Sequence, residues 1–255
     1  MIRTFAIGLG GVALLAGTAS AAFVGVEIRE DKTVNAGPAD LRVFNFYAKF
    51  NTDPATDPTS AVLNVGQAND ANNWGIDTLL NPGAAFFQVM TPVIGGPNNT
   101  APNSQFFAFD ATFQFDTYFS IGRKTQNPAM GIVDSTSLDP SFSITTDTIN
   151  GGWFNSSPPN NQGRATFNAE KGTWDTFIAQ VSIVGLADDA ANAFGESNAL
   201  SDIPSSIFRG GFVVFTQAAG QGATPNQINF IPIPAPGALA LFGAAGLVGL
   251  RRRRA

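Results

Sequence analysis

Short apolar and aromatic runs alternate with clusters of Gly, Pro, Asn and Asp along most of this chain, the pattern of an all-β protein. Two stretches carry a two-residue period plainly. Over residues 112–121, Phe113, Phe115, Thr117, Phe119 and Ile121 fall on one side, with Gln114, Asp116, Tyr118 and Ser120 on the other. Over residues 173–184, Phe177, Ala179, Val181 and Ile183 share a face opposite Gln180 and Ser182. Such alternation predicts strands with one packed and one wet side, as in an antiparallel sheet. Further strands are predicted at residues 23–29, 41–50, 61–65, 85–90, 104–109, 141–146, 164–167, 212–217 and 227–231, with a short helix at most over 187–200. So many short strands predict a single antiparallel β-sandwich domain, jelly-roll-like, over residues 23–231.

Both ends depart from this pattern. Residues 1–22 have a basic start at Arg3, an apolar stretch from Phe5 to Ala16, and small residues at Ala19 and Ala21. This predicts a secretory signal helix cut by signal peptidase after Ala21 or after Ala22. At the other end, residues 232–255 run from Pro234-Ala235-Pro236 through an apolar segment, 237–250, into Arg251, Arg252, Arg253 and Arg254. Proline cannot sit inside a helix, so a membrane helix here begins near Gly237. It would be about 21 Å long against roughly 30 Å of hydrocarbon core. Four arginines place the tail inside and the body outside.

The order Pro234, Ala235, Pro236, Gly237, then a Gly/Ala/Leu run and an arginine cluster, resembles the PEP-CTERM sorting signal. That resemblance covers the last two dozen residues and departs from the family at Ala235, where the motif carries Glu. It implies an exosortase-type processing enzyme, transient residence in the inner membrane, and release to the cell surface or the extracellular space. A permanent C-terminal anchor is the alternative.

Charge and composition narrow the chemistry. The chain has 14 basic and 19 acidic residues, and five of the basic ones lie in the two processing regions. An acidic body argues against nucleic acid and anionic lipid as partners. There is no Cys and no His, which excludes a Ser-His-Asp triad, a Cys nucleophile, and His ligands to zinc or haem from this chain. No cofactor is expected. Twenty-three Phe supply the burial that disulfides do not.

Three candidate sites remain. Asp70, Asn72 and Asp77, around Gly75, approach the spacing of a calcium loop. Trp74 brings no oxygen, however, and Asn81 stands where a bidentate Glu belongs, so an Asx turn explains the same letters. Asp110, Asp116 and the glutamates Glu27, Glu30, Glu170 and Glu196 are the acids a glycosidase would draw on, and nothing in the sequence pairs any two of them. Trp74, Trp153 and Tyr118 sit beside Asn, Asp or Gly, where rings could stay exposed and stack on sugars. The expectation is therefore an exported, non-enzymatic, structural or adhesive protein with no catalytic residues. The alternative is a module that binds extracellular polysaccharide.

Overall fold

The structure, a computed structural model, describes residues 23–31, 40–53, 61–67, 73–91, 96–97, 99–186, 202–217 and 223–232. The predicted signal helix with Ala19, Ala21 and Ala22, the 187–200 segment, and the tail carrying Pro234, Ala235, Pro236, Gly237 and Arg251–Arg254 lie outside the described residues. Among the described residues, no helix is long and apolar enough to cross a membrane.

The fold is all-β. The first sheet holds β1 (Phe23–Glu30), β2 (Arg42–Phe50) and the long β14 (Thr173–Val184), whose far edge is shared by β13 (Thr166–Asn168), β8 (Tyr118–Phe119) and β5 (Ala85–Phe86). The second sheet runs β15 (Asp202–Ser205), β18 (Ala223–Pro232), β17 (Gly211–Gln217), β3 (Val62–Gln67), β12 (Trp153–Asn155) and β9 (Thr136–Leu138). The third runs β10 (Ser143–Ile144), β11 (Thr148–Asn150), β4 (Trp74–Ile76) and β16 (Phe208–Arg209). A two-residue pair, β6 (Met90–Thr91) with β7 (Gly96–Pro97), stands apart. Among the described strands, every ladder is antiparallel except β15 with β18.

One apolar core joins the three larger sheets. The Phe46 ring of β2 lies 5.4 Å from Trp74 of β4, 5.4 Å from Phe208 of β16 and 6.3 Å from Phe212 of β17. Tilted and edge-on ring contacts of this kind suit the aromatic quadrupole and add to the burial term. Phe23, Phe44, Phe46, Phe50, Phe86, Phe119, Phe208, Phe212 and Phe230 all belong to this one core.

The predicted boundaries meet the structure unevenly. Residues 173–184 form a strand over their full length, but their faces are not as the simple alternation implies. A bulge between Phe177 and Ala179 inserts one residue into the ladder with β2 and reverses which side follows. Ala179, Val181 and Ile183 pack in the main core, whereas Phe177 lies with Tyr118, Ala101 and Tyr47 in a separate cluster. Gln180 and Ser182 are buried as well, so neither side of the strand is wet.

The 112–121 strand is a correction. Residues Ala111–Phe115 form a 3-10 helix, leaving only Tyr118–Phe119 in the sheet. The cause is local: the Asp110 carboxylate accepts from the Thr112 backbone N–H at 2.8 Å and caps the helix start. Asn103 caps Ser104–Ala108 in the same way, so the predicted 104–109 strand is also a 3-10 helix. Residues 85–90 contribute only the short β5 and the first residue of β6.

Candidate functional site

The side of the first sheet that faces away from the aromatic core is polar and charged. Its layout follows from register. Glu27 of β1 pairs with Tyr47 of β2, and Lys49 of β2 pairs with Asp175 of β14, which in turn pairs with Thr166 of β13. Alternate residues on four neighbouring strands therefore converge.

Buried ion pairs tie this face together. Arg29 Nη2 donates to Glu27 Oε2 at 2.6 Å and to Asp175 Oδ2 at 2.7 Å. Lys49 Nζ lies 3.3 Å and Lys171 Nζ 3.5 Å from the Glu27 carboxylate. Asp175 also accepts from Asn168 Nδ2 and from Thr173 Oγ1, both at 2.9 Å. The Arg29 guanidinium stacks 4.1 Å from the centre of the Tyr47 ring. Burial alone would raise the Glu27 carboxyl. The Arg29 hydrogen bond and the charges of Arg29, Lys49 and Lys171 outweigh it and hold Glu27 at about 2. Burial likewise works against the charge on Arg29, but its bonds to Glu27 and Asp175 push its pKa further up.

Beside this network opens a cavity of about 420 Å³, within the range of small-ligand sites. Arg29, Tyr47, Lys124, Arg164, Asn168 and Asp175 are among its walls. The loop bearing Lys124 reaches the sheet through Gly122, which has φ +77° and whose N–H donates to the Phe177 carbonyl at 2.7 Å. A Cβ there would overlap the Gln162 carbonyl, so only glycine lets the two loops cross this closely. The Tyr118 hydroxyl then donates to the Lys124 carbonyl at 2.6 Å and fixes the loop from below. Lys124 Nζ sits 5.6 Å from the Tyr47 ring centre and 5.9 Å from that of Phe177.

The aromatic residues expected to stack on sugars do not do so. Trp74 is 2 % exposed, Trp153 1 % and Tyr118 2 %. Trp74 is surrounded by Phe46, Phe119, Phe208, Phe212 and Phe230. The Trp153 ring lies 4.7 Å from Phe119, and Tyr118 packs on Phe177. Their polar neighbours Asp116, Thr117 and Asn155 are buried as well and so do not hold the rings at the surface.

The calcium-loop reading also meets a correction. Asp70 and Asn72 lie outside the described residues, but Trp74, Gly75 and Ile76 form a strand, not a ligand loop. Gly75 is needed because a Cβ there would overlap the Asp147 carbonyl across the ladder. The Asp77 carboxylate accepts from the Leu79 and Leu80 N–H groups at 3.1 and 3.3 Å and so caps a turn. Asn81 Nδ2 donates to the Asp77 and Ser206 carbonyls. Among the described residues, no group of three or more His, Cys, Asp or Glu could hold a metal ion.

The acids are dispersed in role. Asp110 is an exposed helix cap. Asp116 is buried, its Oδ1 accepting from the Val89 N–H at 2.8 Å, and burial pushes its pKa up to about 7 despite the backbone hydrogen bonds from Val89 and Thr117. Glu30 pairs with Arg42. Arg29, Tyr47, Lys124, Arg164 and Asp175 escaped the sequence reading. Alternating polar positions in 42–50 (Asn45, Tyr47, Lys49) were the available signal for a second functional face. No family model, curated protein or solved structure matches this chain.

Proposed function

We propose that this chain is an exported, non-enzymatic protein of the cell surface or extracellular matrix, with a structural or adhesive role. In this reading the all-β body is a jelly-roll-like β-sandwich. It is delivered by the leader ending at Ala21 or Ala22 and sorted by the tail that begins at Pro234. The tail passes briefly through the inner membrane and is processed there by an exosortase-type enzyme. The single observation that carries an adhesive role is the charged outer face of the first sheet. Its side chains are locked by buried ion pairs and open onto a solvent cavity, which suits a surface that holds a partner without transforming it.

Mass spectrometry of the protein from its native host, with fractionation into cytosol, membrane and matrix, tests this. The expected product begins at Ala22 or Phe23, lacks Arg251–Arg254, and co-fractionates with surface or matrix material. A cytosolic product with both ends intact overturns the proposal, and a surface product that retains the arginines replaces sorting with anchoring.

A further inference from the structure

The cations of the chain are not spread evenly over its surface. Five of the eight described ones, Arg29, Lys49, Lys124, Arg164 and Lys171, gather on the outer face of the first sheet. The buried carboxylates there are Glu27 and Asp175, already engaged by Arg29, Lys49 and Lys171. Lys124 and Arg164 line the cavity and have no carboxylate partner among the described residues. An acidic protein thus lines one pocket with two cations that no described carboxylate pairs.

We infer that this pocket binds the carboxylate or sulfate groups of an acidic polysaccharide, with Lys124 and Arg164 as the anion-binding pair. The inference rests on the surface role proposed above and names the partner. Three features favour this ligand class. Two cations in one cavity, neither paired with a described carboxylate, match a polymer whose charges are sparse, about one to a sugar. A nucleic acid, with a phosphate every ~1.7 Å of duplex axis, needs a longer basic track and would meet the acidic remainder of the body. The cavity has room for a sugar ring beyond its charged group. Its lining sets the polar side chains of Thr166 and Asn168 beside the exposed Phe167 ring, a mixture that suits both the hydroxyls and the apolar face of a sugar. Lys124 is also preset: Tyr47 and Phe177 lie beneath it, and its backbone is pinned by Tyr118.

The test uses purified full-length protein and five immobilised polymers: polygalacturonate, dextran sulfate, neutral dextran, poly-glutamate and duplex DNA. We expect retention on polygalacturonate or dextran sulfate that weakens as salt is raised, and none on neutral dextran. Lys124→Gln and Arg164→Gln should each weaken binding roughly tenfold, as expected for loss of one charge-assisted contact. The double variant should abolish binding with its melting transition unchanged. Arg209→Gln, which removes a cation in the third sheet, should bind as wild type. The inference is overturned by no retention on either acidic polysaccharide, by equal loss in Arg209→Gln, or by stronger retention on poly-glutamate or DNA. Failure here with correctly processed surface protein removes the ligand alone. Binding by a protein found intact in the cytosol removes the surface role instead.

Discussion

The two faces of the first sheet are built from the same strands and hold themselves by opposite means. Inward, β2 presents Phe44, Phe46, Ala48 and Phe50, all buried in an aromatic centre. Outward, the same strand presents Tyr47 and Lys49 to a web of ion pairs around Glu27 and Asp175. Apolar burial is non-directional and scales with the area removed from water. A buried ion pair gains little net stability, because desolvation offsets the attraction, yet losing one partner is costly. The inner face therefore supplies stability, and the outer face supplies position. A network that fixes side chains without adding much stability is what a binding surface requires.

The largest effect should follow from the inner face. Trp74→Ala removes the ring that touches Phe46, Phe208, Phe212 and Phe230, and should cost about 4 kcal/mol, read from urea unfolding. A cost below about 1 kcal/mol would mean that the aromatic centre does not hold the three sheets together. If Trp74 were instead a sugar-stacking residue, its loss would leave stability nearly untouched.

Next comes pH, where two of the buried acids, Asp116 and Glu27, act in opposite directions. Asp116, raised to about 7 when folded, binds a proton more tightly in the native state than in the unfolded chain. Its contribution is present below about pH 4 and is lost as pH rises through 7, by at most about 4 kcal/mol at roughly 1.4 kcal/mol per pH unit. Glu27, held at about 2, contributes above pH 4.5 and loses that contribution as pH falls toward 2. Urea midpoints at a series of pH values should show a maximum between these limits. Asp116→Asn should remove the decline on the neutral side, and Glu27→Gln the acid limb. If both limbs survive both substitutions, other groups govern the titration.

What the sequence revealed about these faces was uneven for physical reasons. The all-β pattern and the 173–184 strand were legible because the period is local. The Phe177–Ala179 bulge was not, because a bulge is set by its partner strand. Residues 112–121 misled because Asp110 offers its N–H partner a cap, and the alternation looks the same in either conformation. The candidate rings at Trp74, Trp153 and Tyr118 were judged by their polar neighbours, of which Asp116, Thr117 and Asn155 are buried along with them through long-range packing. The outer cavity was hidden because it joins residues from 29 to 177. Net charge hid it further, since an acidic total says nothing of how the few cations are placed.

Arg29→Met should follow, at about 3 kcal/mol, because Glu27 and Asp175 would then lie buried without their shared partner. The combined Glu27→Gln, Arg29→Met and Asp175→Asn variant should recover part of that loss in the same unfolding experiment. A triple variant worse than the single one would show that the ion web itself stabilises the sheet, which contradicts the division of labour between the faces.

The smallest effect is the sharpest test of that division. Lys124 and Arg164 are exposed and have no carboxylate partner among the described residues, so replacing each with Gln should change stability by no more than about 0.5 kcal/mol. Removing a positive charge from a patch of five cations relieves repulsion, which places the sign of the change on the stabilising side. Unfolding curves for the two single variants and the double variant measure this directly. Near-neutral stability is what a binding role requires, since it leaves both cations outside the folding architecture. A loss of 2 kcal/mol or more would assign them to the architecture and return the outer face to a purely structural role.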